Sequence, residues 1–385
     1  MSDLPPSEQE ADGPALPAAA FAPLADPVFR TLWVVWFTAN VCMAMNDVAA
    51  AWLMTSLTTS PVMVALVQTA ATLPVFLLGL PSGALADILD RRRYFVVTQF
   101  WVAATALLLC LAIVSDAINP TLLLLLVFAN GIGLAMRWPV YSAIVPGLVP
   151  RVQLPAALAL NGLAMNASRI AGPVLAGALI AGAGTAWVFV VNAVLSVIAG
   201  FLILRWKTVE EPSALPGERF LGAMRVGVQY VRQSAAMRAV LVRVMNFFGQ
   251  STALIALLPL VARGMHGGSA GTYTLLFASL GFGAILSVFM LPHMRHRRTR
   301  DELIRDGSVV QAAAMIAAGF APNVYVAVPV MVVAGMAWLT VANSISIAAQ
   351  LALPNWVRAR GMSTFQVALM GGAGAGAALW GQVAA

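Results

Sequence analysis

The stretch Gly83-Ala84-Leu85-Ala86-Asp87-Ile88-Leu89-Asp90-Arg91-Arg92-Arg93 separates two long apolar runs, residues 62–80 and 95–114. Only 10% of the chain is charged, so five charges in so short a segment stand out. Each flanking run is long enough for a helix to cross a bilayer, since a hydrocarbon core about 30 Å thick needs roughly 20 helical residues. The stretch is therefore predicted to be a tight turn at a membrane face. Its arginines indicate the cytoplasmic face, because short cytoplasmic loops are enriched in Lys and Arg.

The composition predicts a polytopic, all-α membrane protein. Of the 385 residues, 61% are hydrophobic, and the apolar runs are continuous, which favours helices over a β-barrel. The net charge of +7 follows from basic residues in turns on one side, with Arg263 alone on the other. No basic patch is interleaved with aromatic residues, so we expect no nucleic-acid partner. Cys42 and Cys110 lie within apolar runs and are expected to be buried and unpaired.

Eleven apolar spans are predicted, of which the ninth is short for a crossing. They cover residues 31–53, 62–80, 95–114, 121–144, 156–181, 187–204, 239–261, 273–291, 308–321, 324–352 and 362–385.

The chain is expected to divide into two halves with a tail and a linker. Residues 1–28 have no secretory signal and are expected to form a disordered cytoplasmic tail. Residues 29–204 form a six-helix half, and residues 239–385 form the second half. Between them, residues 205–238 are polar and then periodic, which predicts an amphipathic helix on the membrane surface. A soluble linker helix is the alternative.

An internal repeat supports the two halves. A shift of about 205 residues places Arg91–Arg93 on Arg297–Arg300 and Asn40 near Asn246. It also places the Gly172 region on the Gly376 region. Parallel six-helix halves joined by a long loop are a known transporter plan. The repeat predicts a twelfth helix beyond residue 385, so we expect this chain to be a fragment or the product of a truncated gene.

The opening stretch resembles the loop between the second and third helices of the major facilitator superfamily. The pattern there is Gly, three residues, Asp, a basic residue, any residue, Gly, and two basic residues. Gly83, Asp87, Arg91 and Arg92 match it. The resemblance implies a charge-relay latch that holds the cytoplasmic side closed. The residues at 88 and 90 depart from the pattern, so part of that latch is expected to differ.

A second resemblance lies in the fifth span. Ser168, Gly172, Pro173 and Gly177 are similar to the fifth-helix signature of the antiporter members of the superfamily, with Ser168 and Ala176 in place of glycines. The replacements are small, so a proline kink and close helix packing are retained. Leu85-Ala86-Asp87, Arg151 and Arg358-Ala359-Arg360-Gly361 resemble most the branch of secretion-type efflux permeases that contains the enterobactin exporter.

Three charged residues within the spans are candidates for proton coupling. Asp47 lies in the outer half of the first span, where an ionisable group is costly and rare without a function. The alternative is a hydrated carboxylate at the outer interface. Arg137 falls where superfamily members carry a fourth-helix arginine implicated in proton coupling, with a snorkelling arginine as the alternative. Arg169 lies at a depth similar to that of Asp47, and an Asp47–Arg169 pair is predicted.

Uncharged polar residues within the spans are candidates for lining a central cavity, although structural hydrogen bonds between helices are the commoner role of such residues. The candidates are Asn40, Asn46, Asn130, Asn246, Gln250 and Asn343. No catalytic, nucleotide-binding or metal-binding constellation is present, so we expect neither an enzyme nor a cofactor or metal.

The expected function is proton-coupled efflux of a small organic solute, siderophore- or drug-like, across a bacterial inner membrane. The two halves would expose a midplane site to each side in turn, in a protein that acts as a monomer. Uptake by proton symport or facilitated diffusion is an alternative. A transporter-like sensor or assembly partner, or an inactive fragment, is an alternative of another class.

Overall fold

The computed structural model of the protein describes residues 21–206, 229, 233–265, 268–354 and 358–385. Within these ranges the chain forms eleven long helices and no β-strand. Short 3₁₀ turns occupy Ala22–Ala25, Val145–Gly147 and Arg151–Gln153. The helices are α1 (Pro27–Leu57), α2 (Pro61–Ile88), α3 (Arg91–Val114), α4 (Pro120–Ile144), α5 (Leu154–Ala183), α6 (Thr185–Arg205), α7 (Ala235–Gly264), α8 (Ala270–Arg297), α9 (Arg300–Gly319), α10 (Val324–Leu351) and α11 (Arg358–Val383).

Each helix corresponds to one predicted span, and nine of those described are long and apolar enough to cross a membrane. The helices run past the apolar runs because polar residues cap their ends. The ninth helix, for example, begins at Arg300 rather than at 308. Thr299 and Glu302 form a reciprocal capping box there, in which the Thr299 backbone N–H donates to Glu302 Oε2 at 2.8 Å. This hydrogen bond lowers the pKa of Glu302.

The sequence predicts a turn over the whole charged stretch, residues 83–93, but the structure has a turn in only part of it. α2 continues through Ile88, and only Leu89 and Asp90 separate it from α3. Asp90 caps α3, since its Oδ1 accepts hydrogen bonds from the backbone N–H of Arg92 at 2.8 Å and of Arg93 at 3.1 Å. A residue that departs from the superfamily pattern therefore begins the third helix.

The predicted linker over residues 205–238 lies almost entirely outside the described residues, as does most of the predicted tail. The structure describes the helices on both sides of this linker. We call α1–α6 the first half and α7–α11 the second half. We call the end of the bundle at which α2 gives way to α3 the basic end, and the other end the opposite end.

The two halves share one core near the opposite end and have separate cores near the basic end. The shared core contains Met54, Leu258 and Met331, from α1, α7 and α10. Near the basic end, α1 and α3–α6 bury one group of side chains, and α7, α10 and α11 bury another. The described contacts between the halves run chiefly through α2 with α11 and α7 and through α5 with α8, from the opposite end to about the middle of the helices. We call the region between the halves on the basic-end side, where the described residues bury two separate cores, the cleft.

The internal repeat has a counterpart in the packing. A side chain at Gly172 of α5 would strike Ala44 of α1, and one at Gly376 of α11 would strike Gly249 of α7. Gly172 and Gly376 are about 205 residues apart in the sequence, and so are their partners Ala44 and Gly249, as expected of parallel repeats. Small residues thus allow equivalent helices to approach closely in each half.

The closest backbone approach in the second half is between α8 and α10. Gly283 faces the backbone of Val332, and Gly335 faces the backbone of Leu280. A Cβ added at Gly335 would lie 3.0 Å from the amide nitrogen of Ala284. Backbone atoms cannot rotate away as a side chain can, so a methyl group at either glycine must separate the helices.

We predict that Gly335→Ala lowers the thermal unfolding temperature of the purified protein, with a cost of about 1–3 kcal/mol for overpacking. The control is Gly79→Ala in α2, where no atom lies within 4 Å of the added methyl group. That change is expected to leave the unfolding temperature unchanged or slightly higher, because Ala favours a helix over Gly. Equal effects of the two substitutions would contradict the packing described here.

Candidate functional site

Asp47 borders a small internal cavity of the first half, which we call the Asp47 cavity. Its walls come from α1, α2, α3, α4 and α6, and Asn46 and Asn130 supply its other polar side chains. The side chain of Asp47 is half-buried. The cavity has room for roughly two or three water molecules, so it is suited to water and protons rather than to an organic solute.

A second cavity adjoins the first and ends at Arg137, and we call it the Arg137 cavity. The two share walls at Asn46 and Asn130, and Asn192 of α6 lines the second. Several buried polar atoms around them have no protein partner: Asn46 Oδ1, Asn192 Nδ2, and Arg137 Nε and Nη2. Buried polar atoms without a protein partner, at the wall of a cavity, are usually hydrogen-bonded to water. A row of polar groups thus connects Asp47 to Arg137.

Arg137 is buried and has no carboxylate partner among the described residues. Its side chain is 3% exposed, and its Nη1 donates to the backbone oxygen of Ala39 at 3.3 Å. Its guanidinium lies 5.7 Å from the ring centroid of Trp36, which stacks on Tyr141 at 4.0 Å. The alternative of an arginine snorkelling to the interface does not fit this burial. A planar cation held against aromatic rings costs less to bury than a bare charge.

The predicted Asp47–Arg169 pair is absent. Among the described residues Asp47 forms no ion pair within 4.0 Å, and the Arg169 guanidinium instead lies over the ring of Trp338, 5.1 Å from its centroid. Trp338 belongs to α10 of the second half, so this contact crosses between the halves. The sequence indicated a similar depth for the two charges but not that they lie on different sides of the packed helices.

An aromatic group closes the opposite end. The Arg263 guanidinium of α7 lies 4.8 Å from the ring centroid of Trp52 in α1, and Trp52 stacks on Tyr273 of α8 at 6.2 Å. Tyr273 is almost completely buried in the shared core. Arg263 is the basic residue that the sequence placed on the far side, and here it joins the two halves.

The fifth-helix motif lies at two packing interfaces. Gly172 packs on α1 and Gly177 packs on Thr274 of α8, so one motif contacts both halves. Pro173 is buried between them, and the buried Ser168 hydroxyl donates to the backbone oxygen of Met165 at 2.8 Å.

The residues of the gate motif are only partly described. The side chains of Gly83 and Asp87 lie outside the described part of the structure. Arg92 donates a short hydrogen bond to the backbone oxygen of Leu204 and so connects α3 to the end of α6. Arg91 is exposed at the first turn of α3.

The remaining amide candidates are not grouped at one cavity. Asn40 is buried and donates to the backbone oxygen of Trp36 at 2.7 Å, within its own helix. Asn246 and Gln250 are exposed on α7, and Asn343 is half-buried on α10. Asn46 and Asn130 are the two that line the cavities.

Two residues at these sites were missed in the sequence. Asn192 carried the same signal as Asn130, a single amide in an apolar run. Trp338 carried no signal in the sequence, because aromatic residues are common in membrane spans. It stands out only because the guanidinium of Arg169 lies over its ring. Both cysteines are buried and unpaired, as predicted. The described residues contain no group of three or more potential metal ligands.

A family model described as transmembrane secretion effector, within the major facilitator superfamily, matches residues 18–385. The chain belongs to this family. Macrolide efflux protein A of Streptococcus pyogenes is 20% identical over 77% of the chain and 73% of its own length. The staphyloferrin A transporter of Staphylococcus aureus is 22% identical over 64% of the chain and 62% of its own length.

A solved structure extends the similarity to the fold. A bacterial homologue of the human lysosomal transporter Spinster, in an inward-facing and occupied conformation, superimposes with a TM-score of 0.75 at 17% identity. The match covers 94% of this chain and 82% of that one. The predicted major facilitator fold is thereby confirmed. The transmembrane secretion effector family and these relatives are transporters and not enzymes, so this chain is an integral membrane transporter of a small molecule.

We predict that Arg137→Met raises the thermal unfolding temperature of the purified protein. The substitution removes two buried nitrogens without partners and keeps most of the side-chain volume, and such a change commonly stabilises by about 1–3 kcal/mol. Arg243→Met is the control, since Arg243 is exposed and forms an ion pair with Asp301 at 2.7 Å. It is expected to change little. A marked fall in unfolding temperature for Arg137→Met would instead assign Arg137 a structural role.

Proposed function

We propose that this protein is a proton-coupled efflux permease of the bacterial inner membrane that works by alternating access. The observation that carries the proposal is the placement of Asp47 and Arg137 on water-sized cavities within the first half, apart from the region between the halves. We propose that a solute passes through the cleft, between the separate cores of the two halves.

Asp47 and Arg137 are the proposed coupling residues. A half-buried carboxylate beside a small wet cavity can take up a proton in one conformation and release it in another, as its access to water changes. The guanidinium of Arg137 would respond to that change in charge on Asp47 through the amides and waters that lie between the two residues. Arg169 lies against the second half, and the coupling proposal does not require it.

The one-sided arrangement of the cores supports alternating access. The shared core and the Trp52–Arg263–Tyr273 group hold the opposite end closed, while the cores of the two halves are separate at the basic end. Residues 29–204 and 239–385 would rock about the midplane until the closure exchanges ends. The adjoining ends of α2 and α3, which carry Gly83, Asp87, Arg91 and Arg92, would then form the inner gate.

The charges support one orientation in the membrane. Arginines are concentrated at the basic end, and the positive-inside rule favours a cytoplasmic location for that end. The tail of residues 1–28 and the linker of residues 205–238 then lie in the cytoplasm. We propose that one chain, acting as a monomer in the bilayer, carries out the whole cycle.

The names of the relatives support export of an organic solute. Macrolide efflux protein A and the staphyloferrin A transporter, at 20% and 22% identity, favour a drug-like or siderophore-like cargo. The fifth-helix motif favours exchange of the solute for a proton over uptake by symport.

The coupling proposal predicts a selective effect of Asp47→Asn. In proteoliposomes with an acidic interior, the wild type should accumulate a radiolabelled macrolide or staphyloferrin A, and Asp47→Asn should abolish this accumulation. Exchange of labelled for unlabelled solute at equal pH should persist, because exchange needs no net proton movement. Asp301→Asn, an exposed carboxylate at the start of α9, should retain both activities.

Three other outcomes would each favour a different alternative to the proposal. Accumulation that persists in Asp47→Asn would remove Asp47 from the mechanism. Accumulation with the gradient reversed would favour uptake by symport. Absence of gradient-driven movement of either solute in the wild type would favour a non-transporting sensor or an inactive fragment.

Alternating access predicts that the opposite end opens when its aromatic group is removed. Spin labels at Ser56 and Gly264, both exposed at that end, report the distance between α1 and α7 once Cys42 and Cys110 are replaced by Ala. Trp52→Ala should add a population at longer distance, measured by double electron–electron resonance. Trp187→Ala removes an exposed tryptophan of α6 outside this group and should leave the distribution unchanged. An unchanged distribution in Trp52→Ala would show that the group does not hold the end closed.

A further inference from the structure

Arg169 and Trp338 meet where the cleft between the halves ends. On α5, Ala164 belongs to the basic-end core of the first half and Ala171 packs on the shared core, so Arg169 lies at the boundary between them. On α10, Ala334 belongs to the shared core and Val341 to the basic-end core of the second half, with Trp338 between them. The pair therefore lies at the inner limit of the cleft, with one residue from each half.

Arg169 has no anionic partner in this position. Within the described residues it forms no ion pair and no hydrogen bond, and its contact is with the Trp338 ring. A guanidinium carries five N–H donors and stays charged at any relevant pH. Contact with an aromatic ring satisfies none of these donors with an oxygen acceptor. A half-buried arginine near the middle of a membrane helix thus has unused capacity to bind an anion.

The charges inside the helices favour the same ligand. Arg137 and Arg169 are cations away from the helix ends, and Asp47 is the anion that accompanies them. Asp47 and Arg137 face the small cavities of the first half, which leaves Arg169 uncompensated in the cleft. An anionic group entering the cleft would remove this imbalance.

We propose that Arg169 and Trp338 form the binding subsite for a carboxylate of the transported solute, which is an organic acid with a planar apolar part. Arg169 donates a bidentate pair of hydrogen bonds to the carboxylate, the geometry for which its planar fork is suited. Trp338, backed by Phe248 at 5.9 Å, contacts the planar part. This inference rests on the proposed transport through the cleft and names its substrate class. Because the subsite joins α5 to α10, the solute itself would connect the two halves.

The test is binding of a matched acid and amide. Radiolabelled 2-naphthoate and 2-naphthamide share one ring system and differ in the charge that Arg169 is proposed to bind. Binding is measured by equilibrium dialysis against the full chain in nanodiscs of neutral lipid, with empty nanodiscs subtracted. The wild type should bind the acid at least ten times more tightly than the amide. Arg169→Gln should bring the ratio near one, and Arg169→Lys should retain a reduced preference, because a lysine keeps the charge without the fork.

Two further variants separate this subsite from general effects. Trp338→Leu should weaken the acid and the amide alike, since both lose the ring contact. Arg205→Gln, which removes a cation at the exposed end of α6, should keep the wild-type ratio and so exclude attraction by the basic surface as the cause.

A ratio near one in the wild type, including no saturable binding of either compound, would overturn the proposal. So would an unchanged preference in Arg169→Gln. The assay needs neither a gradient nor flux, so it fails independently of the coupling test. A preserved acid preference together with unchanged accumulation in Asp47→Asn would retain this subsite and reject Asp47 as the proton carrier.

Discussion

Close approach of helix backbones through small residues is the constraint on which this structure depends. In a bilayer the hydrophobic effect does not drive one helix against another, so packing must come from fitted surfaces. Gly172 and Gly376 place equivalent helices together within the two halves, and Gly177 brings α5 of the first half against α8 of the second. The last of these contacts lies on the opposite-end side, where the halves share a core. Among the described residues, the cores of the two halves are separate toward the basic end, on the two sides of the cleft.

Within this frame the charged residues divide into two groups with different surroundings. Asp47 and Arg137 lie on water-sized cavities between helices of one half, where a proton and a few waters fit but a solute does not. Arg169 lies between the halves over Trp338. The proposed exchange of a proton for a solute would need the two sites to be separate yet responsive to one movement. α1 and α5 pack directly together at Gly172, and through this contact a shift of one helix would reach the other.

Much of the fold was predictable because a bilayer permits few solutions. Long apolar runs must be helices, so eleven spans were found with their order intact, and the arginine-rich turns predicted their common end. Helix ends were predicted less well. Capping by Asp90 and Thr299 extends or begins helices among charged residues, where hydropathy has no signal. The buried state of Cys42 and Cys110 followed simply from their apolar neighbours.

The sequence by itself determined which residues are exceptional: Asp47, Arg137 and Arg169 are costly in a membrane wherever the helices place them. Only the tertiary structure decided their partners. Depth along a helix can be counted from the sequence, but the direction in which a side chain points depends on how six or more helices rotate and tilt against one another. For that reason the expected Asp47–Arg169 pair is absent and Trp338 takes the place of the carboxylate. The end at which the two halves meet is likewise decided by contacts between distant residues such as Trp52 and Arg263, and no local pattern in the sequence records those contacts.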